Sequence, residues 1–160
     1  MVETLVAIAI LMISIAGPLT IAQKGLAGAV YARDQVIASF LAQDIVEYVK
    51  NIRDYNTNIN PNNWLDSIGS CTEASYCKID TTGYNLNPPE NCSGNSCLLY
   101  NDNNGYKTSG TEASKFSRYF YIIPNSLQPS EATLIAKVVW SNGTIQNSVT
   151  IENQIFNIIR

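Results

Sequence analysis

Residues 4–22 read TLVAIAILMISIAGPLTIA, and this stretch decides the fold of the chain. It holds no charged side chain; Glu3 stands directly before it, and Lys24 is the first charge after it. About twenty apolar residues, each rising ~1.5 Å in a helix, are enough to cross the ~30 Å hydrocarbon core of a bilayer. A secretory signal peptide fits less well, because no basic residue precedes the stretch. We therefore predict a membrane-spanning helix that carries an exported head.

The composition excludes several functional classes. The 160-residue chain has a formal net charge of −3, which gives no electrostatic support to nucleic-acid binding. It contains no histidine, so the usual general base and the commonest metal ligand are both missing. The sequence also offers no clear pairing of a nucleophile with a base. We expect no enzymatic activity, no metal and no cofactor.

Helical periodicity continues beyond the apolar stretch to about residue 53. Apolar residues recur three or four positions apart on one face of this second half. They are Leu26, Val30, Ile37, Leu41, Ile45, Val49 and Ile52. We predict one helix of about fifty residues, membrane-spanning at first and then amphipathic. Gly17 and Pro18 predict a helix break, because proline lacks the backbone N–H and clashes with the preceding turn.

The head is predicted to be a mainly antiparallel sheet on the amphipathic half of the helix. Its strand candidates are residues 76–80, 97–101, 116–124, 133–141 and 145–151. Asn142-Gly143 predicts a tight hairpin between the last two, since this dipeptide accepts the positive φ of a primed turn. Residues 54–75 read as a polar connector in which Trp64, Leu65 and Ile68 form a short amphipathic turn that packs inward, and residues 155–160 should pack.

The predicted fold class is α+β. Residues 1–25 form the helix segment for the membrane or a filament core, and residues 26–160 form the globular head, including the amphipathic half of the helix. The aromatic side chains of the predicted strands are expected to line the core and the edges of the sheet. They are Tyr119, Phe120, Tyr121 and Trp140.

Four cysteines form two close pairs in the sequence. They are Cys71, Cys77, Cys92 and Cys97. In an exported head we expect two disulfides, most simply Cys71–Cys77 and Cys92–Cys97, although three connectivities are open. A four-cysteine zinc site is the alternative, but zinc sites favour two-residue spacing within each pair.

Residues 102–105, Asp-Asn-Asn-Gly, match part of a calcium-binding loop. A complete loop needs oxygen ligands at alternate positions and a bidentate glutamate at the twelfth. Tyr100 and Thr111 occupy the first and twelfth positions, so the match fails. The segment predicts an ordinary Asn-Gly turn.

Residues 1–11, MVETLVAIAIL, resemble the N-terminal methylation motif of the type IV pilin and pseudopilin superfamily. Residues 136–140 and 149–151 are similar to minor pilins and to the minor pseudopilins of type II secretion. The resemblance implies a type IV pilin-like fold: one long N-terminal helix packed on an antiparallel sheet, with a disulfide-stapled variable loop region. In that family the glutamate is the fifth residue after prepilin-peptidase cleavage, whereas Glu3 is third here. We expect a leader and two mature residues to precede Met1.

The resemblance also implies a function. The chain is expected to be a structural subunit of a type IV pilus-like filament, of the kind that serves adhesion, motility or secretion. It would be stored in the inner membrane, cleaved by a prepilin peptidase and packed helix-to-helix with identical or related subunits into an extracellular fibre. Glu3 is expected to neutralise the amino terminus of a neighbour. The helix around Gly17 and Pro18 is expected to extend or melt in the filament.

Two other functions fit the same sequence. One is a minor pseudopilin of a type II secretion system. The other is a membrane-anchored binding ectodomain, such as an adhesin or a sensor, that never polymerises. The ectodomain hypothesis predicts that Glu3 is dispensable, whereas the filament hypothesis predicts that it is required.

Overall fold

The computed structural model describes residues 2–83, 86–102 and 105–158. One α-helix, α1 (Val2–Ile59), is followed by short 3-10 helices at Pro61–Asn63 and Gly94–Cys97 and by the strands of one sheet. The strands are β1 (Cys77–Lys78), β2 (Glu90–Asn91), β3 (Leu98–Asp102), β4 (Gly105–Lys107), β5 (Glu112–Pro124), β6 (Glu131–Asn142) and β7 (Ile145–Phe156). Every pairing between the described strands is antiparallel. The α+β class is therefore confirmed.

The chain divides into two compact units, of which the first ends at Val36 and the second begins at Ile37. The sequence instead placed the boundary between residues 25 and 26. The difference lies in the start of the apolar stripe, because Leu26 and Val30 are exposed while Ala38 and Leu41 are buried. Core packing in the second unit thus begins about three helical turns later than the periodicity predicts.

The first unit is helical throughout residues 2–36, and the predicted break at Gly17 and Pro18 does not interrupt it. Proline in a helix removes one hydrogen bond, here the one to the carbonyl of Ser14, but the flanking bonds can persist. The Thr20 hydroxyl donates to the carbonyl oxygen of Gly17 at 2.8 Å, beside the proline. The cost of Pro18 is therefore local, and α1 continues through the predicted break at Gly17 and Pro18.

Helix α1 ends at Ile59, about six residues beyond the predicted end. Residues 54–58 are poor helix formers, which is why the sequence read as a connector. Tertiary contacts override that preference: the Asn56 side-chain amide donates to the carbonyls of Trp64 and Asp66, and Trp64 is buried. Pro61 then stops the helix, because the residue before a proline is pushed into extended geometry, and Asn60 has φ −147° and ψ 93°.

Strand β5 lies at the centre of the sheet. Strand β6 pairs along one of its edges, while β3 pairs with the first half of the other edge and β1 meets the second half at Phe120. Alternate side chains of β5 and β6 are buried on the face that packs against α1. With α1 they form two apolar clusters, one around Ile45, Val49 and Phe120 and one around Leu41, Phe116 and Trp140.

All four cysteines are bonded, Cys71 to Cys77 and Cys92 to Cys97. This is the simplest of the three connectivities that the sequence allows. Cys71 and Cys77 belong to the larger apolar cluster, and the carbonyl of Cys71 accepts a hydrogen bond from the backbone N–H of Ile122 in β5. The first bridge therefore fastens the end of the connector to the centre of the sheet.

Two predicted features lie partly outside the described residues. Strands β3 and β4 pair as far as Asp102 and Gly105. The turn predicted at residues 102–105 includes residues 103–104, which lie outside the described residues. In the tail, Ile155 is fully buried whereas Ile158 is half exposed. Residues 159–160 also lie outside the described part of the chain.

The predicted β6–β7 hairpin is present, but its two loop residues are not the predicted Asn142-Gly143. Asn142 pairs with Ile145, so the two-residue loop is Gly143-Thr144 and Asn142 is the last strand residue. Gly143 has φ +67°, while Thr144 does not have a positive φ. A glycine at the first central position is the signature of a type II′ turn, whose twist suits the flanking strands.

Replacing Gly143 with alanine is expected to lower the free energy of unfolding by about 1 kcal/mol, because a Cβ disfavours left-handed backbone geometry. Urea unfolding followed by the fluorescence of buried Trp64 and Trp140 would measure the change. Thr144→Ala, at the adjacent loop position with ordinary φ, serves as the control and should change stability by less than about 0.5 kcal/mol. Equal effects of the two substitutions would contradict this account of the turn.

Candidate membrane and assembly segment

The first unit exposes an apolar helix surface on all sides. Its large apolar side chains, from the first turn to residue 21, are each more than half exposed. They are Val2, Leu5, Val6, Ile8, Ile10, Leu11, Met12, Ile13, Ile15, Leu19 and Ile21. A helix that is apolar all round needs an apolar environment, either lipid or other protein. By length and composition this helix is able to cross a membrane.

Two hydroxyl side chains of this segment form hydrogen bonds within the helix. The Ser14 hydroxyl donates to the carbonyl of Leu11 at 2.8 Å, and the Thr20 hydroxyl donates to the carbonyl of Gly17 at the same distance. Such local bonds remove the penalty of placing a hydroxyl in hydrocarbon, where water cannot satisfy it. The segment is therefore compatible with a dry environment along residues 4–22.

Glu3 lies in the first turn of α1 and is exposed. A carboxylate favours a helix N-terminus, where the backbone N–H groups carry partial positive charge. Between Glu3 and Lys24 the sequence has no other charge. Glu3 is thus the one acid at the head of a long apolar surface, and any neighbour packed against that surface meets it.

Small residues share one face of α1 after the apolar stretch. Gly25 and Ala29 are four residues apart, as are Gly28 and Ala32, and at 100° per residue all four lie within about a third of the helix circumference. A Cβ added at Gly25 or Gly28 would meet no atom within 4 Å. This face lets another helix approach closely.

In the second unit a buried arginine links three elements. The Arg118 side chain on β5 is 1% exposed, and its guanidinium lies 3.0 Å from the carboxylate of Asp44 on α1, whose side chain is 49% exposed. It also donates to the carbonyl of Ile79 at 3.1 Å and to the hydroxyl of Thr81 at 3.2 Å. The Thr81 hydroxyl donates to Asp44 at 2.5 Å, which closes the network.

Burial lowers the pKa of the Arg118 guanidinium from its ordinary value, and the Asp44 carboxylate opposes that shift. Because the ordinary pKa of arginine is so high, the side chain keeps its charge at any physiological pH. Its hydrogen bonds to backbone and side-chain oxygens supply what water no longer does. We conclude that Arg118 positions α1 against the sheet and the segment after β1.

The sequence prediction overlooked Arg118, although a signal was present. In strand β5 the side chains of Phe116, Arg118 and Phe120 fall on one face by period-two alternation. An arginine in phase with two phenylalanines indicates a buried charge that needs a partner. The partner, Asp44, could not be chosen from the sequence, because it lies 74 residues away.

The opposite face of the sheet carries a tyrosine face, which we define as Tyr76, Tyr119 and Tyr121. The rings of Tyr76 and Tyr119 stack with centroids 4.7 Å apart, and Tyr121 lies 5.6 Å from Tyr76. Burial raises the pKa of Tyr119 and Tyr121, with a further contribution from Glu73 at Tyr121, so both phenols stay protonated at neutral pH. The expectation that aromatic residues line the core holds for Phe120 and Trp140, which are buried; the tyrosines are only partly buried.

No protein-family model, curated protein or solved structure matches this chain. The class of protein therefore has to be argued from its own chemistry. Two features define it: an apolar helical segment headed by one acid, and a polar α+β unit held by two disulfides.

Proposed function

We propose that this chain is a structural subunit of a type IV pilus-like filament, with a type IV pilin-like fold. The observation that carries the proposal is the exposed apolar helix surface of residues 2–21, headed by Glu3, in the same chain as a disulfide-bonded head. The disulfides suit an oxidising compartment outside the cytoplasm. The proposal assigns the chain an architectural role and no catalysis.

The energetics of the apolar surface support a subunit with two successive environments. Burying one large apolar side chain is worth roughly 2 kcal/mol, so covering eleven of them is worth about 20 kcal/mol as an upper value. Because leaving this apolar surface in water costs that much free energy, lipid or other protein is expected to cover it. In the proposal the inner membrane covers it before assembly, and the helices of identical or related subunits cover it in the extracellular fibre.

Glu3 gives the assembly its register. A carboxylate in an apolar environment costs about 2.5 kcal/mol or more, so it needs a positive partner once lipid or protein surrounds it. In the proposal that partner is the amino terminus of a neighbouring subunit, exposed after cleavage by a prepilin peptidase. A subunit docked one step out of register would bury two unpaired charges, which is strongly unfavourable.

Glu3→Gln tests the proposal, because it keeps the shape of the side chain and removes its charge. In cells that form fibres from this protein, we expect fibre yield to fall by about tenfold or more, given that losing one member of a buried ion pair costs several kcal/mol. Electron microscopy of sheared fibres gives the yield, and immunoblots give the amount of membrane-stored subunit. Glu47→Gln, an exposed carboxylate further along the same helix, is the matched control.

Normal fibres from Glu3→Gln would overturn the pairing role. A chain that never forms fibres, while residing in the membrane at normal levels, would overturn the filament proposal as a whole. The second candidate function, a membrane-anchored binding ectodomain, is favoured by one observation, the partly exposed tyrosine face. Tyrosine clusters are enriched in binding surfaces because they offer a large contact area with a polar tip.

A further inference from the structure

Strand β7 is an unusually open edge of the sheet. It pairs with β6 from Ile145 to Phe156, and within the described residues no strand pairs with its other edge. Natural proteins protect such edges with lysines, prolines, bulges or short strands. Strand β7 has twelve residues, no proline, no register shift against β6 and a single charge, Glu152. The backbone N–H and C=O groups of this edge are therefore open to another strand.

The sequence of β7 is a chemical palindrome. Residues 145–155 read IQNSVTIENQI, and reversal about Thr150 returns Ile, Gln and Asn at the same positions. The remaining mirror pairs match in character: Val149 with Ile151 are both apolar, and Ser148 with Glu152 are a hydroxyl donor and a carboxylate acceptor. In an antiparallel pair of identical strands centred on Thr150, each residue therefore faces its like or its complement.

We propose that two copies of this chain pair through β7, antiparallel and in register about a two-fold axis at Thr150. Mirror positions about a residue keep the same parity, so the side chains that face the core in one copy continue that face in the other. The even-numbered side chains from Gln146 to Gln154 are exposed, and they form a polar row of amide, hydroxyl and carboxylate groups across the join. The interface is isologous, since each strand contributes the same surface.

The neighbouring registers place less compatible residues opposite one another, so the register centred on Thr150 is favoured. Centring the pair on Ile151 places Val149 opposite Asn153 and Asn147 opposite Ile155. Centring it on Val149 places Asn147 opposite Ile151 and Ile145 opposite Asn153. Both alternatives place apolar side chains opposite amides, whereas apolar side chains opposite one another stabilise a sheet. The occupant of the β7 edge is thus a second β7 and not an arbitrary extended peptide.

This pairing is independent of the filament proposal. A fibre that grows by one repeated step uses contacts between different surfaces of successive subunits, whereas a β7 pair uses the same surface twice. The pairing therefore joins heads in addition to any helix-to-helix contact, and it can be present or absent whether or not fibres form.

Cysteine cross-linking tests the register directly, since the four native cysteines are already bonded to each other. The full chain in detergent micelles is used, so that the apolar helix stays covered. Directly opposite residues in an antiparallel pair have Cα atoms about 4.5–5.5 Å apart, within the range of a disulfide. Thr150→Cys is therefore expected to form a covalent dimer under mild oxidation.

Gln146→Cys is the matched control on the same strand and the same exposed face. In the proposed register its own copy is eight positions away along the strand, about 27 Å, so no cross-link is expected. We expect at least about tenfold more covalent dimer from Thr150→Cys on a non-reducing gel. Equal cross-linking by both variants, or none by Thr150→Cys, overturns the proposal; the latter is also the result if another protein's strand occupies this edge.

A charge test separates β7 pairing from association through the apolar helix. Thr150→Lys places two lysines opposite each other at the axis and should weaken the dimer by about fivefold, as directly opposed like charges destabilise a sheet. Ser148→Lys places each lysine opposite the partner's Glu152 and should leave the dimer as strong or stronger. Light scattering in micelles at a series of concentrations measures both. A dimer that both lysines leave unchanged assembles elsewhere and contradicts the proposal.

Discussion

Replacing Arg118 with methionine is expected to lower the free energy of unfolding of the head by about 3 kcal/mol. Methionine fills a similar volume but offers no donor to the carbonyl of Ile79, the hydroxyl of Thr81 or the carboxylate of Asp44. The buried Ile79 carbonyl accounts for much of the loss, because an unsatisfied buried acceptor costs about 1–3 kcal/mol. The charge pair contributes less, since Asp44 is half exposed and water screens it.

Urea unfolding in micelles, followed by tryptophan fluorescence, measures this loss. Lys137→Met is the matched control, because it removes a cation from the partly exposed face of β6 without breaking any described hydrogen bond or ion pair. Its expected effect is below about 0.5 kcal/mol. Similar losses from the two variants would show that the Arg118 network contributes nothing beyond its charge.

Removing the Cys71–Cys77 bridge is expected to destabilise the head more than removing the Cys92–Cys97 bridge. The sequence separations are 6 and 5, so the loop-entropy contribution is about 2 kcal/mol for each. Cys71 and Cys77 also belong to the larger apolar cluster, whereas Cys92 and Cys97 do not. All four cysteines are buried, but truncating the two that pack in the larger cluster leaves the larger cavity, so we expect about 4 kcal/mol for the first pair and about 2 kcal/mol for the second.

The double substitutions Cys71→Ala with Cys77→Ala, and Cys92→Ala with Cys97→Ala, are each other's controls. They change the same number of sulfur atoms and loops of nearly equal length. The same urea titration gives both losses. A larger loss from the second pair would mean that burial around Cys71 and Cys77 does not decide the difference.

Local sequence patterns predicted the parts of the fold that local chemistry determines. Asn142-Gly143 marked the β6–β7 hairpin because a two-residue turn requires positive φ, and the close cysteine pairs marked bridges between near neighbours. The apolar stretch of residues 4–22 marked a helix able to span a membrane. In each case the determining residues lie within a few positions of one another.

Features that depend on partners far apart in the chain could not be predicted from the sequence. The last turns of α1 exist because Asn56 bonds to carbonyls eight and ten residues away, and the buried Arg118 is satisfied by Asp44 and Thr81 on other elements. Strands β2 and β4 have two and three residues, too few to show any periodicity. The apolar periodicity predicted burial of Leu26 and Val30, which the structure leaves exposed, because periodicity reveals a face but not what covers it.

The two bridges have a mechanical consequence. Each bridge closes a loop between cysteines only 6 or 5 positions apart. When the chain is pulled at both ends, the two bridges therefore prevent only a few residues from extending. Under tension the head's resistance comes instead from its sheet and from the Arg118 network. Once the sheet and the Arg118 network unfold, nearly the whole chain can extend, by about 3.4 Å per residue. A head pulled at its two ends would therefore extend far before either disulfide stopped it.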